Sequence, residues 1–211
     1  MKASSWIIAL CFLVTAIAFI FPELVGLLAF TTEDLSLRPW APVTALFLHS
    51  GLAHLLGNMV FLFVLGRTLE RVAGETRFLE VFFVGGVLSF ILSAPFYESD
   101  VTMAGASAAI FSLASAVMLI TPTSFSIIFL APVGVVALLY FLYNVAAVYY
   151  GLSGNIAYIS HIIGFVIGIP FGIYWSKDWK RNLLISIVLL IVYVVLVQLG
   201  FELLARALQR T

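Results

Sequence analysis

The chain has 211 residues, of which 64% are hydrophobic and 9% are charged. Soluble domains carry roughly 25% charged residues, so this composition predicts an integral membrane protein. Ten Lys and Arg balance ten Asp and Glu, which excludes a basic surface for nucleic acid. The single cysteine, Cys11, excludes an intramolecular disulfide framework.

Seven apolar runs follow one another along the chain. Each is close to the length of about 17 to 25 residues that a helix needs to cross a bilayer. No small-residue cleavage site follows the first run, so we interpret it as an anchor and not as a signal peptide. The runs predict an all-α polytopic membrane protein, with spans near residues 6–28, 51–69, 78–95, 104–121, 130–150, 156–175 and 183–204.

The charges between these runs predict the orientation of the chain. If the amino terminus is cytoplasmic, seven of the ten Lys and Arg lie inside and three lie outside, as the positive-inside rule favours. We expect the carboxy terminus outside and the plasma membrane as the location. The seven inner cations are Lys2, Arg67, Arg71, Arg77, Lys177, Lys180 and Arg181.

Polar residues occupy the outer ends of the second, fourth and sixth predicted spans. His54, Ser107 and His161 are about three to five residues into their spans, roughly 5 to 8 Å below the outer surface. Asn58 follows His54 by four residues and shares its helix face. Hydrogen bonding between helices is a common use of such residues, and it is the alternative to a functional site.

A Ser and a His at one depth can form a nucleophile and its base. No Asp or Glu lies near this layer in the three spans, so the sequence predicts a dyad whose imidazole is oriented by packing. His54, Asn58 and the backbone N–H of Ser107 are candidate donors to an oxyanion. A small-residue stripe would bring the sixth span close to the fourth, and its members are Gly164, Gly168 and Gly172.

The ordered motifs resemble the rhomboid family of intramembrane serine proteases over roughly residues 5 to 178. His49, His54 and Asn58 resemble the family's HxxxxHxxxN, residues 105–108 its GxSx, and SHIIGFVIG at 160–168 its HxxG. His49 matches a position that is mainly structural. Three positions depart from the family pattern, namely Ala41 after Trp40, Ala108 after the serine, and Ser160 before the histidine.

The resemblance implies Ser107 as the nucleophile, His161 as general base and acid, and His54 with Asn58 as oxyanion donors. Phe111 matches an aromatic position that packs on the catalytic imidazole. It also implies a six-helix protease core at residues 1–178 and an additional transmembrane helix at 179–211. No metal or other cofactor is expected.

The implied function is hydrolysis of peptide bonds in the transmembrane helices of other membrane proteins, within the lipid bilayer. One alternative is a proteolytically inactive rhomboid-like protein that binds client helices, and a transporter or receptor is another. The chain has no HExxH or GxGD motif, so the sequence gives no support to a zinc or an aspartyl intramembrane protease.

Overall fold

The chain folds into helices that follow its apolar runs. The computed structural model describes residues 2–33, 37–152 and 156–208, without the side chains at 203, 204, 207 and 208. The α-helices are α1 (Ala3–Ile20), α2 (Glu23–Leu28), α3 (Ala41–Thr44), α4 (Leu52–Phe61), α5 (Arg67–Ala73), α6 (Glu75–Ser93), α7 (Ser107–Ile120), α8 (Val133–Tyr149), α9 (Tyr158–Trp175) and α10 (Trp179–Leu208).

Short elements connect these helices. A π-helical turn at Leu62–Gly66 joins α4 to α5 into one continuous span, and 3₁₀ turns lie at Ala45–Phe47 and Ala94–Phe96. Strands β1 (Phe125–Ser126) and β2 (Ala131–Pro132) form a small antiparallel hairpin before α8.

The helical architecture confirms the predicted all-α polytopic membrane protein. Within the described residues, five helical segments are long and apolar enough to cross a membrane. These are α1, α4 with α5, α6 with its 3₁₀ turn, α9 and α10. Helices α7 and α8 are also apolar but shorter, with 14 and 17 residues.

The first predicted span, 6–28, differs from the structure at its carboxyl end. Helix α1 ends at Ile20, and the rest of the run forms the separate helix α2. The cause is Pro22, whose ring disfavours helical geometry at the preceding residue. Phe21 accordingly has φ −124° and ψ 80°, outside the helical region.

Helix α7 forms the centre of the bundle, because every residue from Ala108 to Leu119 is buried. Helix α9 packs along it through the glycine stripe. A Cβ atom at Gly164 would collide with the carbonyl oxygen of Ala108, and one at Gly168 with that of Ser112. The Ser112 hydroxyl donates to the Gly164 carbonyl at 2.6 Å, which the close approach allows. The predicted contact between these two helices is present.

Contacts between helix ends show which ends share a side of the bundle. The Glu70 carboxylate accepts hydrogen bonds from the Ala3 N–H at 2.7 Å and the Ser4 hydroxyl at 2.6 Å. The Arg77 guanidinium lies over the Trp175 ring at 5.2 Å. The amino ends of α1 and α6 therefore lie beside the carboxyl ends of α5 and α9. The amino ends of α4, α7 and α9 point to the opposite side.

Helix α10 joins the core through its first turn. The Asn182 side-chain amide donates to the carbonyl oxygens of Leu119 at 2.8 Å and Ile120 at 3.1 Å, at the carboxyl end of α7. These two carbonyls lack partners within their own helix, so Asn182 satisfies them. Most of the remainder of α10 is exposed in the isolated chain, as expected for a helix that faces lipid.

Candidate active site

A sharp turn at Gly105 presents Ser107 at the amino end of α7. Gly105 has φ +122°, a conformation that side chains disfavour, and its N–H donates to the Ala45 carbonyl at 2.8 Å. A Cβ atom there would also lie 2.8 Å from Cε1 of His54. The first N–H groups of a helix have no partner within it, so free backbone donors lie in the same helical turn as Ser107.

Ser107 and His161 are in hydrogen-bond contact, although 54 residues separate them. The Ser107 Oγ lies 2.7 Å from Nε2 of His161, which belongs to the first turn of α9. The imidazole is buried, with 7% of its surface exposed. The close packing of α7 against α9 at Gly164 makes this distance possible.

The opposite nitrogen of His161 contacts a residue that sequence reasoning missed. Nδ1 lies 2.8 Å from Oδ1 of Asn144, a buried residue of α8. The sequence predicts an imidazole that is oriented by packing alone. The only signal was a single Asn within the apolar run of α8, in a span that had not been connected to the site.

Aromatic packing also holds the imidazole, as expected for Phe111. The Phe111 ring stacks on His161 with centroids 4.7 Å apart and an interplanar angle of 12°. Tyr140 stacks on the other side of Phe111 at 4.0 Å, and Phe61 stacks on Tyr140 at 4.3 Å. This column of rings runs from α9 through α7 and α8 to α4.

The two candidate oxyanion donors lie on α4 and line the same cavity as Ser107. Nδ1 of His54 is hydrogen-bonded to the Ser50 hydroxyl at 3.0 Å. The Nε2 edge of the same ring faces Gly105. The Asn58 amide nitrogen donates to the His54 carbonyl at 2.9 Å. Its Oδ1 is buried without a hydrogen-bond partner in the described part of the chain.

His49 is a structural residue that holds the turn before α7. The Thr15 hydroxyl donates to the Phe47 carbonyl at 3.2 Å, so its oxygen is left to accept from Nδ1 of His49 at 3.3 Å. Nε2 of His49 then accepts from the Ala106 N–H at 3.4 Å. Burial and, to a smaller extent, the nearby His54 lower the pKa of His49 to about 4. The neutral ring can therefore fill this acceptor role.

A cavity of about 460 Å³ opens above the serine. Ser107, His161, His54, Asn58 and Asn144 all line it, and α4, α7, α8 and α9 supply most of its walls. Ala108, one of the three departures from the family pattern, also lines the cavity. Within the described residues, no group of three or more His, Cys, Asp or Glu could hold a metal ion.

The site can therefore supply a hydroxyl, a base in contact with it, and several N–H donors within one cavity. Comparisons with known proteins identify related sequences. The family model described as Rhomboid domain matches residues 36–178. YdcA of Bacillus subtilis is 38% identical over 74 residues, which cover 35% of this chain and 37% of that protein.

Two further relatives differ in what their names state. Rhomboid protease GluP of Bacillus subtilis is 38% identical over 79 residues, covering 37% of this chain and 15% of the relative. Inactive rhomboid protein 2 of Homo sapiens is 34% identical over 82 residues, covering 38% of this chain and 10% of the relative. The chain thus matches at most 37% of the length of these three relatives.

Proposed function

The chain belongs to the rhomboid family, and from this premise we propose that it is an intramembrane serine endopeptidase with a Ser107–His161 dyad. The observation that carries the proposal is the 2.7 Å contact between the Ser107 hydroxyl and the His161 imidazole, in a cavity at one end of a membrane bundle. A hydroxyl becomes a useful nucleophile at neutral pH when an adjacent base takes its proton.

In the proposed reaction, Oγ of Ser107 attacks the carbonyl carbon of a peptide bond while Nε2 of His161 takes the hydroxyl proton. The imidazolium then donates this proton to the leaving amine nitrogen, and the C–N bond breaks to leave an ester on Ser107. A water molecule, deprotonated by His161, attacks the ester after the amine has left, the bond between the carbonyl carbon and Oγ breaks, and the imidazolium returns its proton to Oγ. The products are a carboxylic acid and the regenerated serine.

The negative oxygen of the tetrahedral intermediate needs donors in a partly dehydrated layer. We assign this role to His54, Asn58 and the backbone N–H of Ser107. If the Ser50 hydroxyl donates to Nδ1 of His54, the His54 proton is on Nε2, the edge that faces the turn at Gly105. Asn58 uses one amide N–H for the His54 carbonyl, and its second N–H is left for the oxyanion.

The substrates we propose are transmembrane helices of other membrane proteins. A helical carbonyl is already hydrogen-bonded, so a substrate must unwind locally before its carbonyl can reach Ser107. Helix-weakening Gly or Pro residues near a small residue at the cut would favour this step.

We also propose a plasma-membrane location with a cytoplasmic amino terminus. The contacts of Glu70 with Ala3 and of Arg77 with Trp175 join the helix ends that carry the predicted inner cations. They support a location of these cations on one side of the membrane. Arg210, one of the three outer cations, lies outside the described residues. In this orientation the cavity opens toward the outer face. Residues 1–178 are the proposed protease core, and residues 179–211 are an appended helix.

A proteolytically inactive, client-binding protein is the second candidate, and the relative named as inactive motivates it. Labelling by a fluorophosphonate separates the two, because this reagent requires an activated serine. We expect the purified protein to be labelled at Ser107 and to cleave a model transmembrane substrate in liposomes, and Ser107→Ala to lose both while remaining folded. Cleavage by Ser107→Ala at the wild-type rate would refute the dyad, and absence of labelling in the folded wild-type chain would favour client binding.

A further inference from the structure

Asn144 is the one residue in contact with Nδ1 of His161 among the hydrogen bonds of the described residues. It belongs to α8, and 1% of its surface is exposed. Its amide nitrogen donates to the Tyr140 carbonyl at 2.8 Å, and its Oδ1 lies 2.8 Å from the imidazole. Both ends of the amide are thus engaged.

These contacts determine which imidazole nitrogen carries the proton. The Tyr140 carbonyl can only accept a hydrogen bond, so it requires the amide nitrogen on its side and leaves Oδ1 facing His161. An amide oxygen also only accepts, so Nδ1 of His161 must be the protonated nitrogen. Nε2 is then left with a lone pair directed at the Ser107 hydroxyl, 2.7 Å away. This is the tautomer in which His161 can act as a base.

We propose that Asn144 is a positioning residue that fixes the tautomer and the rotation of His161, an inference that rests on the proposed hydrolytic function. The stacked Phe111 ring sets the plane of the imidazole, but stacking permits rotation within that plane. The hydrogen bond to Asn144 sets this remaining angle. Without it, the proton can move to Nε2, where it blocks proton transfer from Ser107.

One turn of α8 supplies two contacts to the base. Tyr140, whose carbonyl holds the Asn144 amide, also stacks its ring on Phe111 at 4.0 Å. Helix α8 therefore supports His161 directly through Asn144 and indirectly through Phe111. A simple packing role for Asn144 would instead be a hydrogen bond between helices, a common use of Asn in membrane proteins.

Asn144→Leu, which keeps the approximate volume and removes the acceptor, tests the proposal. We expect kcat on a transmembrane substrate in liposomes to fall about 10²-fold. A wrong tautomer in a Ser-His-Asp site costs about 10⁴-fold. The loss should be smaller here because a neutral amide is a weaker partner for the imidazole than a carboxylate. KM should stay within about twofold, since the change affects the transition state. Asn144→Asp, which keeps the acceptor, should recover kcat about tenfold over Asn144→Leu.

Asn182→Leu is the matched control, because Asn182 is also a buried Asn that bonds to helix carbonyls, at a distance from the dyad. It should lower the melting temperature but leave kcat unchanged. Equal losses of kcat in the Asn144→Leu and Asn182→Leu proteins would assign Asn144 to packing and overturn the proposal. If Asn144→Leu does not fold, Asn144→Asp decides, and a kcat below a hundredth of wild type in folded Asn144→Asp protein would overturn it.

A second measurement does not depend on turnover. In protein with ¹⁵N-labelled histidine, NMR shifts of His161, assigned with His161→Gln, should report the Nδ1–H tautomer. The Nε2–H form should appear in Asn144→Leu. An unchanged tautomer in that variant would overturn the role of Asn144, even in an active protease. Failure of fluorophosphonate to label the wild-type chain would instead refute the proposed function.

Discussion

Gly164 allows α7 and α9 to approach closely, so a single methyl group at this position should separate them. In the structure a Cβ atom at Gly164 would overlap the carbonyl oxygen of Ala108. The next nearest atom, Oγ of Ser89, would be 3.1 Å away, so the methyl group could not turn aside freely. The obstacle is the backbone of α7, and relief requires α9 to move.

The expected cost has two parts. Overpacking of a close contact costs about 1 to 3 kcal/mol, and the hydrogen bond from Ser112 to the Gly164 carbonyl contributes about 1 kcal/mol. Gly164→Ala should therefore lower the free energy of unfolding by about 2 to 4 kcal/mol. His161 lies one turn before Gly164, and a displacement of about 1 Å from Ser107 should cost on the order of 10²-fold in kcat.

Gly200→Ala is the matched control, because Gly200 lies in α10 with no atom near its Cβ position. This change should leave kcat unaltered and raise helix stability by up to about 1 kcal/mol. Both variants would be compared by thermal unfolding in detergent and by cleavage of a transmembrane substrate in liposomes. Full activity and an unchanged melting temperature in Gly164→Ala would refute the inference that close helix contact sets the dyad geometry.

Three further predictions concern the oxyanion donors, the turn before α7 and the topology. Asn58→Ala and His54→Ala should each lower kcat on the order of 10²- to 10³-fold with little change in KM. The loss of kcat in the double variant should be smaller than the product of the two single losses, because both donors act on one oxygen. Unchanged turnover in both single variants would assign both residues to packing. Gly105→Ala should abolish fluorophosphonate labelling because of its φ of +122° and the His54 ring, while Gly51→Ala, which has open space, should label normally. A reporter fused after Thr211, a residue outside the described part of the chain, should be external, and a cytoplasmic reporter would contradict the orientation or the seven-span prediction.

The apolar runs identify the helices because lipid cannot satisfy free backbone groups, and long unpaired segments are therefore excluded from the bilayer. Hydropathy does not locate helix ends as well. The apolar run at 6–28 resumes directly after Pro22 and Glu23, so hydropathy does not mark the break between α1 and α2, which depends on local sterics. The fourth predicted span began at residue 104, but the turn at Gly105 delays α7 until Ser107.

The sequence predicts those parts of the candidate site that depend only on the depth of a residue along its helix. A constant rise per residue puts Ser107 and His161 in one layer, whatever the rotation of their helices. Contact with Asn144 depends on the rotation of α8 about its own axis. A helix that is apolar on all sides gives no periodic signal for its rotation, so the sequence could not direct Asn144 toward His161. This angle is set by the packing of α8 against α7, α9 and α10.

The shortness of α7 accounts for the position of the cavity at one end of the helix bundle. A helix of 14 residues is about 21 Å long, whereas the hydrocarbon core is about 30 Å thick. If the carboxyl end of α7 lies at the inner surface, its amino end stops several ångströms below the outer one. Longer neighbours, α4 with α5 and α9, continue past it and leave the cavity above Ser107. In the proposed orientation and reaction, water would reach the acyl-serine from the outer face, and the free N–H groups of the first turn of α7 would lie near the developing negative charge.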